Sequence, residues 1–155
     1  AEFMISIRHT FLMISFAGLA LSPVSLSCDC VQLPSLQECY NRETAVFYGT
    51  CISGKVVPRE RTEEGGWTKT KRQYVFRVSK NYKGEKKDEI IIETGFGGGD
   101  CGFSFNIGRE YLVYASGPDE ALRTSICKRT CGPEKDYERM DEDMKFLDEL
   151  IKEAK

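Results

Sequence analysis

All seven cysteines of the 155-residue chain, at positions 28, 30, 39, 51, 101, 127 and 131, lie behind a segment that reads as a secretory leader. Arg8 and His9 give a positive start, and residues 11–21 form an apolar stretch too short to span a bilayer. Pro23 breaks it, and Ser25 and Ser27 are the small residues that a signal peptidase requires. Ala1-Glu2-Phe3, ahead of Met4, reads as a cloning remnant, so residues 4–27 are the expected signal peptide and residues 28–155 one mature domain. A buried helix of the fold and a lipoprotein signal are the competing readings of this segment. An exported small domain uses cysteines as crosslinks, and each bridge contributes about 2 to 4 kcal/mol. Seven cysteines leave one thiol odd and the pairing open. A cysteine-only zinc site is the alternative, but the spacings are not paired Cys-x-x-Cys knuckles.

Cleavage before Cys28 leaves 128 residues, enough for one modest core. It also gives Cys28 a free α-amine beside its carbonyl, two atoms that can close a chelate ring on a metal ion. The only histidine, His9, leaves with the leader, which removes Ser-His and Cys-His mechanisms and imidazole zinc ligation. No catalytic residues and no enzyme activity are expected. The net charge of −2 offers nothing to a phosphate backbone, so nucleic acid is not expected as a partner. No later stretch has the length to insert in a membrane, and no Asn-x-Ser/Thr acceptor occurs. A secreted, extracellular monomer without a cofactor is the expectation.

Hydrophobic patterning predicts strands first and a helix last. Ser35, with Glu38 three residues on, predicts a short helix over 35–42. Strands are predicted over 45–57, with Val46, Tyr48, Thr50 and Ile52 on one face, and over 73–82, with Tyr74, Phe76 and Val78 inward. Further strands are predicted over 89–94, 110–116 and 121–127, and Gly49 and Gly54 suggest a bulge or bend in the first. Five short strands at this spacing favour a small barrel. Residues 58–71 read as an exposed hairpin loop. From Pro133 to about residue 154 the apolar positions 137, 140, 144, 147 and 151 predict an amphipathic helix packed on the barrel, with its acids solvated. The glycine-rich run 95–102 lacks the Lys-Ser/Thr and the following helix of a phosphate loop, so it reads as a tight turn held by Cys101, with 103–107 alternating like a strand.

An ordered set of motifs carries a family resemblance. Cys28-Asp29-Cys30-Val31 opens the mature chain and Cys39 follows about a dozen residues on. Tyr-Val-Phe-Arg-Val-Ser-Lys-Asn-Tyr-Lys-Gly spans 74–84, then come Cys101-Gly102-Phe103, Glu110-Tyr111-Leu112-Val113 and Thr124-Ser125-Ile126-Cys127. This set resembles the N-terminal, netrin-like domain of the tissue inhibitors of metalloproteinases. The resemblance implies a mainly β fold, a five-stranded barrel of the oligonucleotide/oligosaccharide-binding (OB-fold) type with a short N-terminal and a C-terminal amphipathic helix. It implies disulfides Cys28 to Cys101 and Cys30 to Cys127 and a third bridge that starts at Cys39; the family pattern offers no clear match for its partner, which is taken here as Cys131, leaving Cys51 odd. It also implies inhibition of a secreted or membrane-anchored zinc metalloendopeptidase. Cys28 would place its amine and carbonyl on the target's zinc, the only metal involved, with Asp29, Cys30, Val31 and Gln32 extending the wedge and Gly99 and Asp100 beside it. Asp29 would point into the protease's specificity pocket, commonly apolar, where a carboxylate is costly to desolvate. Common matrix metalloproteinases are therefore expected to be poor targets. A non-inhibitory netrin-like module that binds extracellular matrix or another protein is the alternative.

Overall fold

The computed structural model describes residues 28, 30, 32–66, 68–134 and 136–153. The expected signal peptide over residues 4–27, with Asp29 and Val31 of the expected wedge, lies outside the described residues. The elements in chain order are α1 (Leu36–Arg42), β1 (Ala45–Val57), β2 (Lys71–Lys83), β3 (Glu89–Thr94), a 3-10 turn (Gly98–Asp100), β4 (Glu110–Ala115), β5 (Leu122–Arg123) and α2 (Tyr137–Glu153). The fold is mainly β, with one mixed five-stranded sheet in the order β4-β1-β2-β3-β5. β1 pairs antiparallel with β2 and β4, and β2 with β3, whereas the short β5 runs parallel to β3 through Ile92–Leu122 and Glu93–Arg123. The ladder is not closed. A two-bond bridge between Ser116 and Arg123, with N–O distances of 3.0 and 2.8 Å, brings the two edge strands together.

The start of α1 follows from its capping box. The Ser35 hydroxyl accepts from the Glu38 amide while the Glu38 carboxylate accepts from the Ser35 amide, which satisfies donors that a first turn leaves open. β1 bends at three register shifts, one of them at Tyr48/Gly49. Gly49 is required there, because a Cβ would stand 2.5 Å from the Arg77 carbonyl oxygen of β2.

The alternation of β1 and β4 sends side chains to two apolar clusters on opposite faces of the sheet. One holds Phe47, Cys51, Tyr74, Phe76, Ile92, Phe105, Tyr111 and Val113, with Val78 packed on it. Its rings meet edge to face, as in Phe76 and Phe105 at 4.9 Å. The other holds Cys39, Val46, Leu112, Tyr114, Cys131, Met140 and Leu147, so the stripe of α2 is covered by the sheet and α1. The face of β1 carrying Val46 and Tyr48 meets the helices, and the more deeply buried face carries Phe47 and Cys51.

Four expectations are corrected. Residues 103–107 form no strand: Phe103 and Phe105 pack from coil, and Ile107 is exposed. The fifth strand stops at Arg123: the Thr124 amide still reaches the Glu93 carbonyl at 3.1 Å, but its hydroxyl is drawn onto the Tyr114 carbonyl and the chain then enters the turn that Lys128 N closes on Ser125 O. α2 begins at Tyr137, whose side chain is 62 % exposed and outside the stripe. Cys39 and Cys131 are not bonded to one another. Both thiols are buried in the same cluster but face different groups: Cys39 Sγ donates to the Pro34 carbonyl at 3.9 Å, and Cys131 lies beside Asp143 and Arg139.

Candidate functional site

The loop after β3 is built around one carboxylate. Asp100 accepts from the amides of Phe96 and Gly97, each at 2.7 Å, and from that of Gly102 at 3.1 Å. The Phe96 bond, opposed by slight desolvation and helped by the Gly102 and Gly97 bonds, holds its carboxyl below the usual aspartate value. Only glycine fits at 102, where a Cβ would meet the Gly95 carbonyl carbon at 2.2 Å. Cys101 adopts φ 56°, which makes it the only described non-glycine residue in the left-handed region. Of the two residues expected to line the wedge here, Gly99 is exposed and Asp100 turns its carboxylate into its own loop.

A second loop, 124–131, is fixed from several sides. The Thr124 hydroxyl donates to the Tyr114 carbonyl at 2.8 Å, and Thr130 Oγ1 accepts from the Tyr114 amide at 3.0 Å. Lys128 pairs with the buried Glu43 and reaches Ser116 Oγ at 2.7 Å. Arg129 grips Asp143 of α2 through two nitrogens, Nε at 2.9 Å, and its Nη1 donates to the Pro34 carbonyl at 3.3 Å. Asp143 is fully buried and also accepts from Tyr114 Oη at 3.0 Å. These residues escaped sequence reasoning, although an acid inside the apolar stripe of α2 was a usable signal. The two loops are joined by one backbone bond, Ile126 N to Cys101 O at 2.9 Å.

Across this joint lies the amino-terminal segment. Cys28 is bonded to Cys101 and Cys30 to Cys127, with Cα separations of 5.2 Å in both. The bridges close sequence separations of 73 and 97 residues, for which the chain-entropy account gives on the order of 4 to 5 kcal/mol each. The structure thus holds Cys28 at Cys101, the residue after Gly99 and Asp100, and Cys30 at Cys127 in the other loop, with Gln32 exposed on the chain leading to α1. Phe96 and Ile126 are exposed to 39 % and 43 % in the two loops, and the guanidinium of Arg72 stacks 4.8 Å from the Phe96 ring centroid. A cleft of about 540 Å³ adjoins Gly102 and Ile126, lined also by Phe103, Tyr111 and Arg139. Another, of about 510 Å³, adjoins Gly95 and Asp100 over the buried Glu93. Burial works to raise the Glu93 pKa, but Lys71, Gln73 and Arg123 outweigh it and hold the carboxyl below its ordinary value.

Burial pushes the Cys51 and Cys131 thiols up to about 11 and raises that of Cys39, so none of the three unbonded cysteines offers a thiolate near neutral pH. Among the described residues no helix is long and apolar enough to cross a membrane. The chain matches no family model and no curated protein.

Proposed function

We propose that this chain is a secreted inhibitor of zinc metalloendopeptidases, acting through a mature amino terminus at Cys28. The α-amine and carbonyl of that residue would occupy two positions on the target's catalytic zinc and displace the water that the metal activates. The observation that carries the reading is the double covalent tether. A segment fixed at alternate residues to two mutually bonded loops loses little freedom on entering a cleft. The exposed Phe96, Gly99, Ile126 and Gln32 widen the contact around it. The fold that goes with this function is the five-stranded OB-fold-type barrel, a reading supported by the Ser116–Arg123 bridge between the edge strands. The zinc belongs to the target, and no cofactor of the chain's own is required.

The test is a titration of a panel of zinc endopeptidases with protein beginning at Cys28 and with protein carrying one extra residue before it. Inhibition by the first and not the second supports the proposal. Equal inhibition by both removes the chelate, and silence from both favours the matrix- or protein-binding module.

A further inference from the structure

We infer that Cys28, Cys30, Cys101 and Cys127 form a tetrathiolate zinc site when their two disulfides are opened by a thiol reductant, so that the amino-terminal segment has a metal-held state as well as a crosslinked one. The two bridges abut: Cys28 Sγ lies 3.8 Å from Cys127 Sγ, although each is bonded elsewhere. The sulfurs of Cys28, Cys30 and Cys127 all lie within 4.8 Å of one another, and Cys101 supplies the fourth as the bonded neighbour of Cys28. Four thiolates around zinc, with metal–sulfur distances of about 2.3 Å, stand about 3.8 Å apart along the edges of the tetrahedron. One such edge is already present. The Cys28–Cys101 and Cys30–Cys127 pairs supply two further edges as their sulfurs move apart once the bonds between them are gone.

The scaffold for two of the ligands does not depend on the disulfides. Asp100 clasps the loop that carries Cys101, and the Cys101 carbonyl is tied to Ile126, next to Cys127. Lys128 and Arg129, the two residues after Cys127, are anchored to Glu43 and Asp143. The other pair, Cys28 and Cys30, belongs to a segment that Arg129 holds at the Pro34 carbonyl, so it stays within reach after reduction. An all-sulfur, tetrahedral set selects zinc or another soft ion over calcium or magnesium. The remaining cysteines do not share this geometry, since Cys51 sits in the opposite cluster, across the sheet from Cys39 and Cys131.

The chemistry balances. Each disulfide takes two electrons and two protons from a dithiol, which closes to its own disulfide, and leaves two thiols. One zinc ion then replaces the four thiol protons. Two equivalents of a small-molecule disulfide reverse the step: each takes two electrons from a thiolate pair and two protons from water to become two thiols, the two protein disulfides re-form, and the metal leaves as Zn²⁺. The inference is independent of the inhibitory reading, because it concerns the sulfurs and not the α-amine.

The test uses the full chain. It is reduced anaerobically with a phosphine, which becomes its oxide by taking oxygen from water, and is then given zinc or cobalt alone. The expected result is one metal per chain in the reduced protein and none in the oxidised, a tetrahedral thiolate–cobalt spectrum, and near-ultraviolet circular dichroism close to that of the oxidised form. Cys30→Ser and Cys127→Ser each remove a ligand and should weaken binding by more than the roughly 10- to 100-fold that loss of an outer-shell partner costs. Alkylation followed by peptide mass mapping gives a readout free of any variant: zinc should protect residues 28, 30, 101 and 127 together. The proposal is overturned if the reduced chain takes up no more zinc than the oxidised one, or if protection falls on Cys39 and Cys131 instead. Metal uptake without the native dichroism also overturns it.

Discussion

Asp143→Ala is the perturbation that tests most of the structure at once. The carboxylate is 1 % exposed and takes two nitrogens of Arg129, itself 16 % exposed, together with the hydroxyl of the fully buried Tyr114. Its removal strands a guanidinium in low dielectric, for which breaking a buried pair costs about 3 to 5 kcal/mol. The Tyr114 hydroxyl then loses its acceptor, worth about 1 to 3 kcal/mol more, although the two losses overlap because the same cavity admits water to both. We therefore expect a loss of about 3 to 5 kcal/mol, or a midpoint lowered by roughly 10 to 20 °C for a domain of this size. The assay is urea denaturation of the oxidised protein, with the slope unchanged from wild type. Arg129→Met combined with Asp143→Leu removes both charges and should return the protein to within about 2 kcal/mol of wild type. A loss below about 1 kcal/mol for Asp143→Ala, or a double variant worse than the single one, would refute the claim that this pair is a buried, mutually dependent tie.

Further outcomes follow from other parts of the molecule. Asp29→Ala should strengthen or broaden inhibition across a panel of zinc endopeptidases, because an apolar pocket no longer has to desolvate a carboxylate; unchanged inhibition constants would count against it. Acidification should release the Asp100 clasp only below the ordinary carboxylate pKa of about 3.9. The bound carboxylate has a lowered pKa, so its stabilisation is complete above that value and is lost as pH falls through the folded one, visible as faster exchange of the Phe96, Gly97 and Gly102 amides. Leu147→Ala, at a fully buried position of α2, should cost about 2 to 5 kcal/mol by denaturant titration, against less than about 0.5 kcal/mol for an alanine at the exposed Glu149. Inhibition should weaken below about pH 7, as the amine of Cys28 with its reference pKa of about 7.7 to 8.0 must shed a proton to bind metal; a flat profile against a protease active over that range speaks against ligation by the amine.

Local chemistry made part of this fold readable from the chain. The capping box of Ser35 and Glu38 and the alternation of Tyr74, Phe76 and Val78 depend on near neighbours, and the structure places these residues as expected. The bounds of β1 and β3 are likewise those of their patterns. Where nonlocal partners compete, pattern fails. Thr124 lies in a run that alternates like a strand, yet its hydroxyl finds Tyr114 and Thr130, and the chain turns toward Cys30 and Cys101. Acids of the last helix read as solvated, which holds for Glu138, Glu142 and Glu149 and fails for Asp143, whose cation lies 14 residues back on a loop. At the candidate site, the resemblance put Gly99 and Asp100 in one contact strip without the inward role of Asp100, which depends on a loop curvature that glycines permit and do not specify.

Three consecutive residues anchor the chain before α1 at Cys30 and Pro34. Cys127 is bonded to Cys30, Lys128 pairs with Glu43 just after α1, and Arg129 joins Asp143 on α2 to the Pro34 carbonyl. One tripeptide at the turn closed by Lys128 N to Ser125 O therefore ties the segment before α1, the end of that helix and the last helix together. Ordering a free segment of about five residues costs roughly 1 to 2 kcal/mol each, so a loose terminus would forfeit on the order of 5 to 10 kcal/mol on docking. Because the bridges and the Arg129 tie meet that cost when the domain folds, the proposed inhibition predicts an affinity that depends on the integrity of α2, which shares its apolar cluster with α1. A contact surface read only from the exposed residues would miss that dependence.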